Sequence, residues 1–95
     1  MQALFEWDAA RAKANLRKHE ISFDEASTAF RDPCSLTILD PLHSQGEERF
    51  VLLGLSHRDK LLVVVHTDRK GRIRIISARR ATRKEKQVYE EQAHR

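Results

Sequence analysis

Three apolar runs rich in branched residues follow one another in the second half of the chain, with only short polar connections between them. They span residues 49–55, 60–67 and 73–78, and the connections are 56–59 and 68–71. Connections this short cannot hold the crossover that a parallel pair needs, so the runs predict an antiparallel meander. The middle run contains Leu61-Leu62-Val63-Val64-Val65 and reads as a central strand buried on both faces. A shorter run at 36–39 predicts a fourth strand ahead of these three.

The residues before the sheet follow a helical period instead. Asp8 is placed as the N-cap of a first helix, with Ala9, Ala12 and Leu16 at helical spacing. That helix ends near His19, where Lys18 and His19 complement the negative end of its dipole. Ser22 opens a second helix, and Glu25 three residues later completes a capping box. Ile21 and Ala26 are spaced as a hydrophobic staple, Phe30 continues the stripe, and Asp32-Pro33 stops the helix. Thr82 with Glu85 forms a second capping box, starting a C-terminal helix whose Val88 and Tyr89 face the core. The predicted order is ααββββα, an α+β domain with helices packed on a four-stranded, mainly antiparallel sheet. No repeat or linker interrupts it, so residues 1–95 are expected to form one domain.

Composition narrows the class. With 40% hydrophobic and 34% charged residues the chain can bury a modest core, which argues against disorder. The run at 61–65 is too short to span a bilayer, and Glu6 and Asp8 interrupt the start where a secretory signal needs an apolar stretch. The single cysteine, Cys34, can form no internal disulfide and offers no cysteine-based metal site. A cytoplasmic protein without a membrane partner is the expectation. The net charge of +4 hides an uneven distribution: from Arg69 to Lys86 nine basic residues meet only Glu85, a local +8 against −4 elsewhere. Six of the nine are Arg, whose planar fork suits phosphate. Such a segment attracts nucleic acid by releasing condensed counterions; the alternative is a solvated basic face with no ligand.

Several stretches, taken in order, resemble a known family. Phe5-Glu6-Trp7-Asp8 leads into the first helix, which holds Asn15, and Lys18-His19-Glu20-Ile21-Ser22-Phe23-Asp24-Glu25-Ala26 follows. Then come Phe30-Arg31-Asp32-Pro33, His43-Ser44 with Glu47-Glu48-Arg49-Phe50, Leu62-Val63-Val64-Val65-His66-Thr67, and Arg72-Ile73-Arg74-Ile75-Ile76-Ser77-Ala78-Arg79-Arg80-Ala81-Thr82. From Phe5 to about Glu91 they resemble the BrnT toxins of bacterial type II toxin–antitoxin modules. Two departures are visible, Glu20 where a glycine is common and Cys34 after the Asp-Pro pair. The resemblance implies a RelE-like fold and a growth-arresting ribonuclease activity that uses no metal or cofactor. It also implies a BrnA-like antitoxin carrying a ribbon-helix-helix DNA-binding domain, with operator DNA contacted only through the toxin–antitoxin complex.

Metal-independent RNA cleavage needs help for the 2′-hydroxyl to attack the adjacent phosphate, cations to stabilise the developing charge, and an acid for the leaving 5′-oxygen. Cations rank above any named base here, because RelE-like enzymes lean on Arg and Lys electrostatics. Arg79 and Arg80 end the last strand just before the capped helix, where arginines and a helix N-terminus converge. In an extended strand they point to opposite faces, Arg79 with Ile73, Ile75 and Ser77, Arg80 with Arg72, Arg74 and Ile76. The alternative for each is a salt bridge to an acid such as Glu48 or Glu90. Arg49 is a further catalytic candidate, and Glu48 is either a base or Arg80's structural partner. His19 is a catalytic candidate or simply a helix cap, with Lys13 and Lys18 nearby as RNA contacts. Arg72, Arg74 and Arg83 extend the RNA-binding set, together with His43 in the connection 40–47 and Tyr89. His43 also reads as a turn residue, and Tyr89 as core. His66 reads as a core or rim histidine, His57 and His94 as turn and tail residues, and Phe5 and Trp7 as a staple rather than a base-stacking platform. No spacing supplies a third metal ligand for His43 and His66. Two other classes share these features: a non-catalytic nucleic-acid-binding module, and an interaction protein whose basic face meets an acidic partner.

Overall fold

The computed structural model describes residues 4–40 and 46–93, and its meander gains a strand that the apolar runs do not predict. The order is β1 (Leu4–Glu6), α1 (Ala9–His19), α2 (Phe23–Thr28) with a 3₁₀ turn (Ala29–Arg31), β2 (Leu36–Asp40), β3 (Arg49–Leu55), β4 (Leu61–Arg69), β5 (Arg72–Arg80) and α3 (Arg83–Ala93). The sheet runs β1-β5-β4-β3-β2. Strands β2 to β5 are antiparallel neighbours, as expected. Strand β1 instead lies parallel to β5, with Leu4, Phe5 and Glu6 opposite Arg72, Ile73 and Arg74. Three residues are too few to show an alternation, so β1 leaves no periodic signal. The expected ααββββα order is corrected to βααββββα, an α+β fold of three helices and five strands among the described residues.

The hairpin between β4 and β5 is tighter than expected. Lys70 and Gly71 both take positive φ, 50° and 81°, the mirror-image two-residue turn that suits the twist of paired strands. This lets β4 reach Arg69 and β5 begin at Arg72. A bulge follows in β5: Val65 faces Ser77 while His66 faces Ile75, so Ile76 is an extra residue. The bulge reverses the alternation beyond it. Arg79, opposite Val63, therefore shares a face with Ser77, Arg74 and Arg72, whereas Arg80, opposite Leu62, shares one with Ala78, Ile75 and Ile73. Unbroken alternation puts Ile73 and Ile75 with Arg79 and Arg72 and Arg74 with Arg80; the single unpaired residue exchanges these two pairs.

Ile21, Phe23, Ala26 and Ala29 pack on Leu52, Leu62, Val64, Ile75 and Ala78 to form the core between the first two helices and one sheet face. Phe5 meets Phe30, and Trp7 meets Phe23, in edge-on ring contacts, so the aromatics before α1 do staple the fold. Gly54 is required by closeness: a Cβ there would stand 2.8 Å from the Ala29 carbonyl oxygen. Helix α1 is rotated from the expected setting. Leu16 is 51% exposed, and Asn15 is the buried residue. Its amide donates to the Ile21 and Ala78 carbonyls, both at 2.9 Å, and accepts from the Ala78 N–H at 3.0 Å. Strand β1 pairs only with residues 72–74, so Asn15 closes the β5 edge where β1 has ended. Helix α3 crosses toward β3 with no fully buried residue; Val88 is 45% exposed instead of core-facing.

His66 sits on β4 between Phe30 and Phe50, at ring-centroid distances of 4.8 and 5.8 Å, and is buried. Burial lowers its pKa below 6.5, against weaker opposing pulls from the Val64 carbonyl and Asp68. The unfolded chain then binds more protons than the native one below about pH 6.5, so stability falls as the pH drops through that window. Thermal melts between about pH 7.5 and 5.5 are expected to show this decline, with a flatter profile for His66→Phe. Parallel profiles would remove His66 as its cause.

Candidate nucleic-acid interface

The turn between β3 and β4 is bolted to α2. Ser22 caps α2 through the Glu25 N–H as expected, but the Glu25 carboxylate does not reach back to complete the capping box. It accepts instead from the Ser56 hydroxyl at 2.8 Å, and the Lys60 ammonium lies 3.9 Å away. Ser56 in turn accepts from the N–H groups of Arg58 and Lys60, and the His57 N–H donates to Thr28. Glu25 and Ser56 are both buried, so this network holds Arg58 and Lys60 at a set height above the strand ends.

A second tie fixes the opposite wall. The Tyr89 hydroxyl of α3 donates to Asp32 at 2.6 Å, and Asp32 also accepts from the Leu55 and Cys34 N–H groups. Burial pushes the Asp32 carboxyl up, but these three donors outweigh it and hold it below its ordinary range. Burial, with the Asp32 carboxylate beside it, pushes the Tyr89 phenol well above its usual range, so Tyr89 remains a donor. Between the two walls opens a cleft of about 680 Å³ lined by Arg58, Lys60, Arg80, Lys86 and Tyr89, with Asp59 and Glu90 as its acids. The Arg80 guanidinium has no ion pair among the described residues, and neither have Arg58 and Lys86.

Arg79 is placed differently. Its guanidinium grips Glu85 with two bonds of 2.9 Å, which raises its own pKa. Glu85 also completes the capping box with Thr82, in both directions. The bond from Arg79 is the largest influence on Glu85 and, against the opposing effect of burial, helps pull its carboxyl down to about 2. Neither expected acid, Glu48 nor Glu90, pairs with Arg79; one turn of α3 supplies Glu85 instead.

The remaining predicted residues do not join the cleft. Arg49 lies opposite Thr67, which lies opposite Arg74, and Arg74 is paired with Glu6 at 2.8 Å. This row is five residues along β3 from the Gly54–Leu62–Arg80 row, roughly 17 Å at strand rise. Glu48 is exposed at the same far end and cannot partner Arg80. Arg72 lines a separate hollow with Glu6, Arg69 and Lys70. His19 and Lys18 line a shallow groove with Arg11 and Ser77, Lys13 is exposed on α1 outside it, and Arg83 is exposed at the start of α3. His43 and His94 lie outside the described residues. Sequence reasoning missed Arg58, Lys60 and Asp32, and counted Lys86 in the basic segment without naming it as a site residue. Arg58 inside a short hairpin connection, with Lys60 directly after it, was a usable signal for the first two; nothing local marks Asp32 as the partner of Tyr89.

The comparisons with known proteins bear on this arrangement. A family described as the ribonuclease toxin BrnT of type II toxin–antitoxin systems matches residues 7–85. The chain belongs to the BrnT family. As a member of a type II module, a BrnT toxin has an antitoxin partner. The crystal structure of the Brucella abortus ribonuclease toxin BrnT is similar with a TM-score of 0.63 at 16% identity, covering 86% of this chain and all of that one. It supports the BrnT fold, including the arrangement of helices on the sheet. No curated protein matches the chain. Among the described residues no helix is long and apolar enough to cross a membrane.

Proposed function

We propose that this BrnT chain is an endoribonuclease that cuts RNA in the cleft between the β3–β4 turn and α3. The observation that carries this reading is Arg80, a guanidinium at the strand end, free of ion pairs among the described residues and facing a cleft with Arg58, Lys60 and Lys86. The 2′-hydroxyl oxygen attacks the phosphorus as its proton passes to solvent, the bond to the 5′-oxygen breaks as that oxygen takes a proton from solvent, and the products are a 2′,3′-cyclic phosphate and a 5′-hydroxyl end. Arg80, Arg58 and Lys86 stabilise the charge on the phosphoryl oxygens as it grows, so the reaction needs no metal. Lys60 is partly held by Glu25 and contributes less. The Tyr89 ring offers a surface for a base, its hydroxyl being engaged by Asp32. Arg49, Arg72, Arg74, Arg83, Lys13, Lys18 and His19 lie on surfaces that contact flanking RNA, Glu48 has no part in the chemistry, and Arg79 acts by holding the start of α3. The toxin works in the cytoplasm, and a BrnA-like antitoxin with a ribbon-helix-helix domain neutralises it and carries the complex to operator DNA.

The purified chain is expected to cut a defined RNA and to leave cyclic phosphate or 3′-phosphate ends. The same RNA with 2′-deoxyribose at the scissile position is expected to resist. Equal cutting of both would exclude 2′-hydroxyl attack, and salt-dependent binding without cutting would favour the non-catalytic binding module.

A further inference from the structure

The β2 edge of the sheet is left exposed and apolar. Strand β2 is the outermost strand, and its sequence Leu36-Thr37-Ile38-Leu39-Asp40 has none of the lysines, prolines or bulges that usually guard an edge. Ile38 is 66% exposed and Leu39 is also exposed. Beside this edge, on the sheet face away from α1 and α2, lies a groove of about 200 Å³ whose walls include Leu36, Ile38, Val51, Leu53, Val63 and Val88. The groove's one polar lining residue, Glu85, is already engaged by Arg79 and Thr82, so its interior asks for apolar side chains. Its rim on α3 is cationic: Lys84 lies one turn before Val88 on the same helix face, beside Arg83, and both are exposed.

We infer that this groove and the β2 edge are the docking surface for an extended segment of the antitoxin. The segment adds as a strand to β2, dropping alternate aliphatic side chains between Ile38 and Val88 and setting acidic residues against Lys84 and Arg83. Bare strand edges invite pairing by another chain, and a type II toxin has an antitoxin as its protein partner. Apolar interior and cationic rim together favour a chain that alternates aliphatic and acidic residues over a second copy of this basic protein. The inference rests on membership of the family and not on the cleft, from which the groove is distinct.

The test is titration of this chain with its cognate antitoxin. Ile38→Glu and Val88→Glu are each expected to weaken binding about a hundredfold, since an aliphatic contact is replaced by a buried charge. Their melting temperatures and RNA cleavage by the free chain are expected to stay at wild-type values. In the wild-type complex, amide exchange is expected to slow across 36–40. Wild-type affinity in both variants would overturn the inference, as would exchange protection confined to the Arg80 cleft, or a free chain already dimeric through β2. Loss of cleavage in wild-type protein with antitoxin binding intact would count against the cleft alone.

Discussion

Arg80→Ala is expected to lower RNA cleavage about a hundred- to a thousandfold, the usual effect of removing one preorganised charge stabiliser. Its melting temperature is expected to stay within about 4 °C of wild type, because the side chain is exposed and unpaired among the described residues. Arg79→Ala is expected to do the reverse. It removes a two-bond grip on Glu85, and because Arg79 is 42% exposed and screened by solvent the loss is about 1 kcal/mol, or about 4–8 °C in melting temperature. Acid adds a second signature. Glu85 has its folded pKa depressed to about 2 from 4.5, so its contribution is present above pH 4.5 and is lost as the pH falls toward 2. Arg79→Ala should therefore lose stability less steeply in acid than wild type. Single-turnover cleavage and melting of both variants decide the matter. Wild-type cleavage by Arg80→Ala, or a large cleavage loss in a fully stable Arg79→Ala, would reverse the two roles.

These adjacent residues also show how far a one-dimensional reading carries. The capping boxes, the meander and the basic segment follow from spacing, because each depends on residues within a few positions of one another. Position 79 against 80 depends on Ile76, one unpaired residue in β5, and no local pattern marks it. The same limit hides β1, whose three residues pair with a strand more than sixty positions later. Glu25 has the sequence context of a capping box, yet its carboxylate is claimed by Ser56, which only the fold brings near. The cleft is legible in part: Arg80 and Lys86 belong to the basic segment, but Arg58 and Lys60 do not, and the geometry comes from Asp32–Tyr89 and Glu25–Ser56, two long-range ties. Tyr89, left open between core and site, is only half-buried: its ring lines the cleft and its hydroxyl is tied to Asp32.

The largest stability effect is expected at Asn15. Asn15→Ala removes three hydrogen bonds at once and leaves the Ala78 N–H, the Ala78 carbonyl and the Ile21 carbonyl without their partner. At about 1 kcal/mol for each such group the loss is about 3 kcal/mol, or about 15–20 °C in melting temperature, a large share of what a domain of this size has to lose. Asn15→Asp separates hydrogen bonding from volume. The new carboxylate can still accept from the Ala78 N–H but turns its second oxygen toward two carbonyls, so it should be at least as destabilising as alanine at neutral pH. Protonation restores one donor, and burial raises the pKa of the introduced group. The Asn15→Asp chain should therefore regain part of its deficit relative to wild type as the pH falls below 7. Because Ala78 stands two residues before Arg80, the loss is also expected at the site: amide exchange at Ala78 should quicken in both variants, and cleavage should fall even at temperatures where the chain remains folded. Equal melting of wild type and Asn15→Ala would show that α1 closes the β5 edge by packing alone, without this side chain.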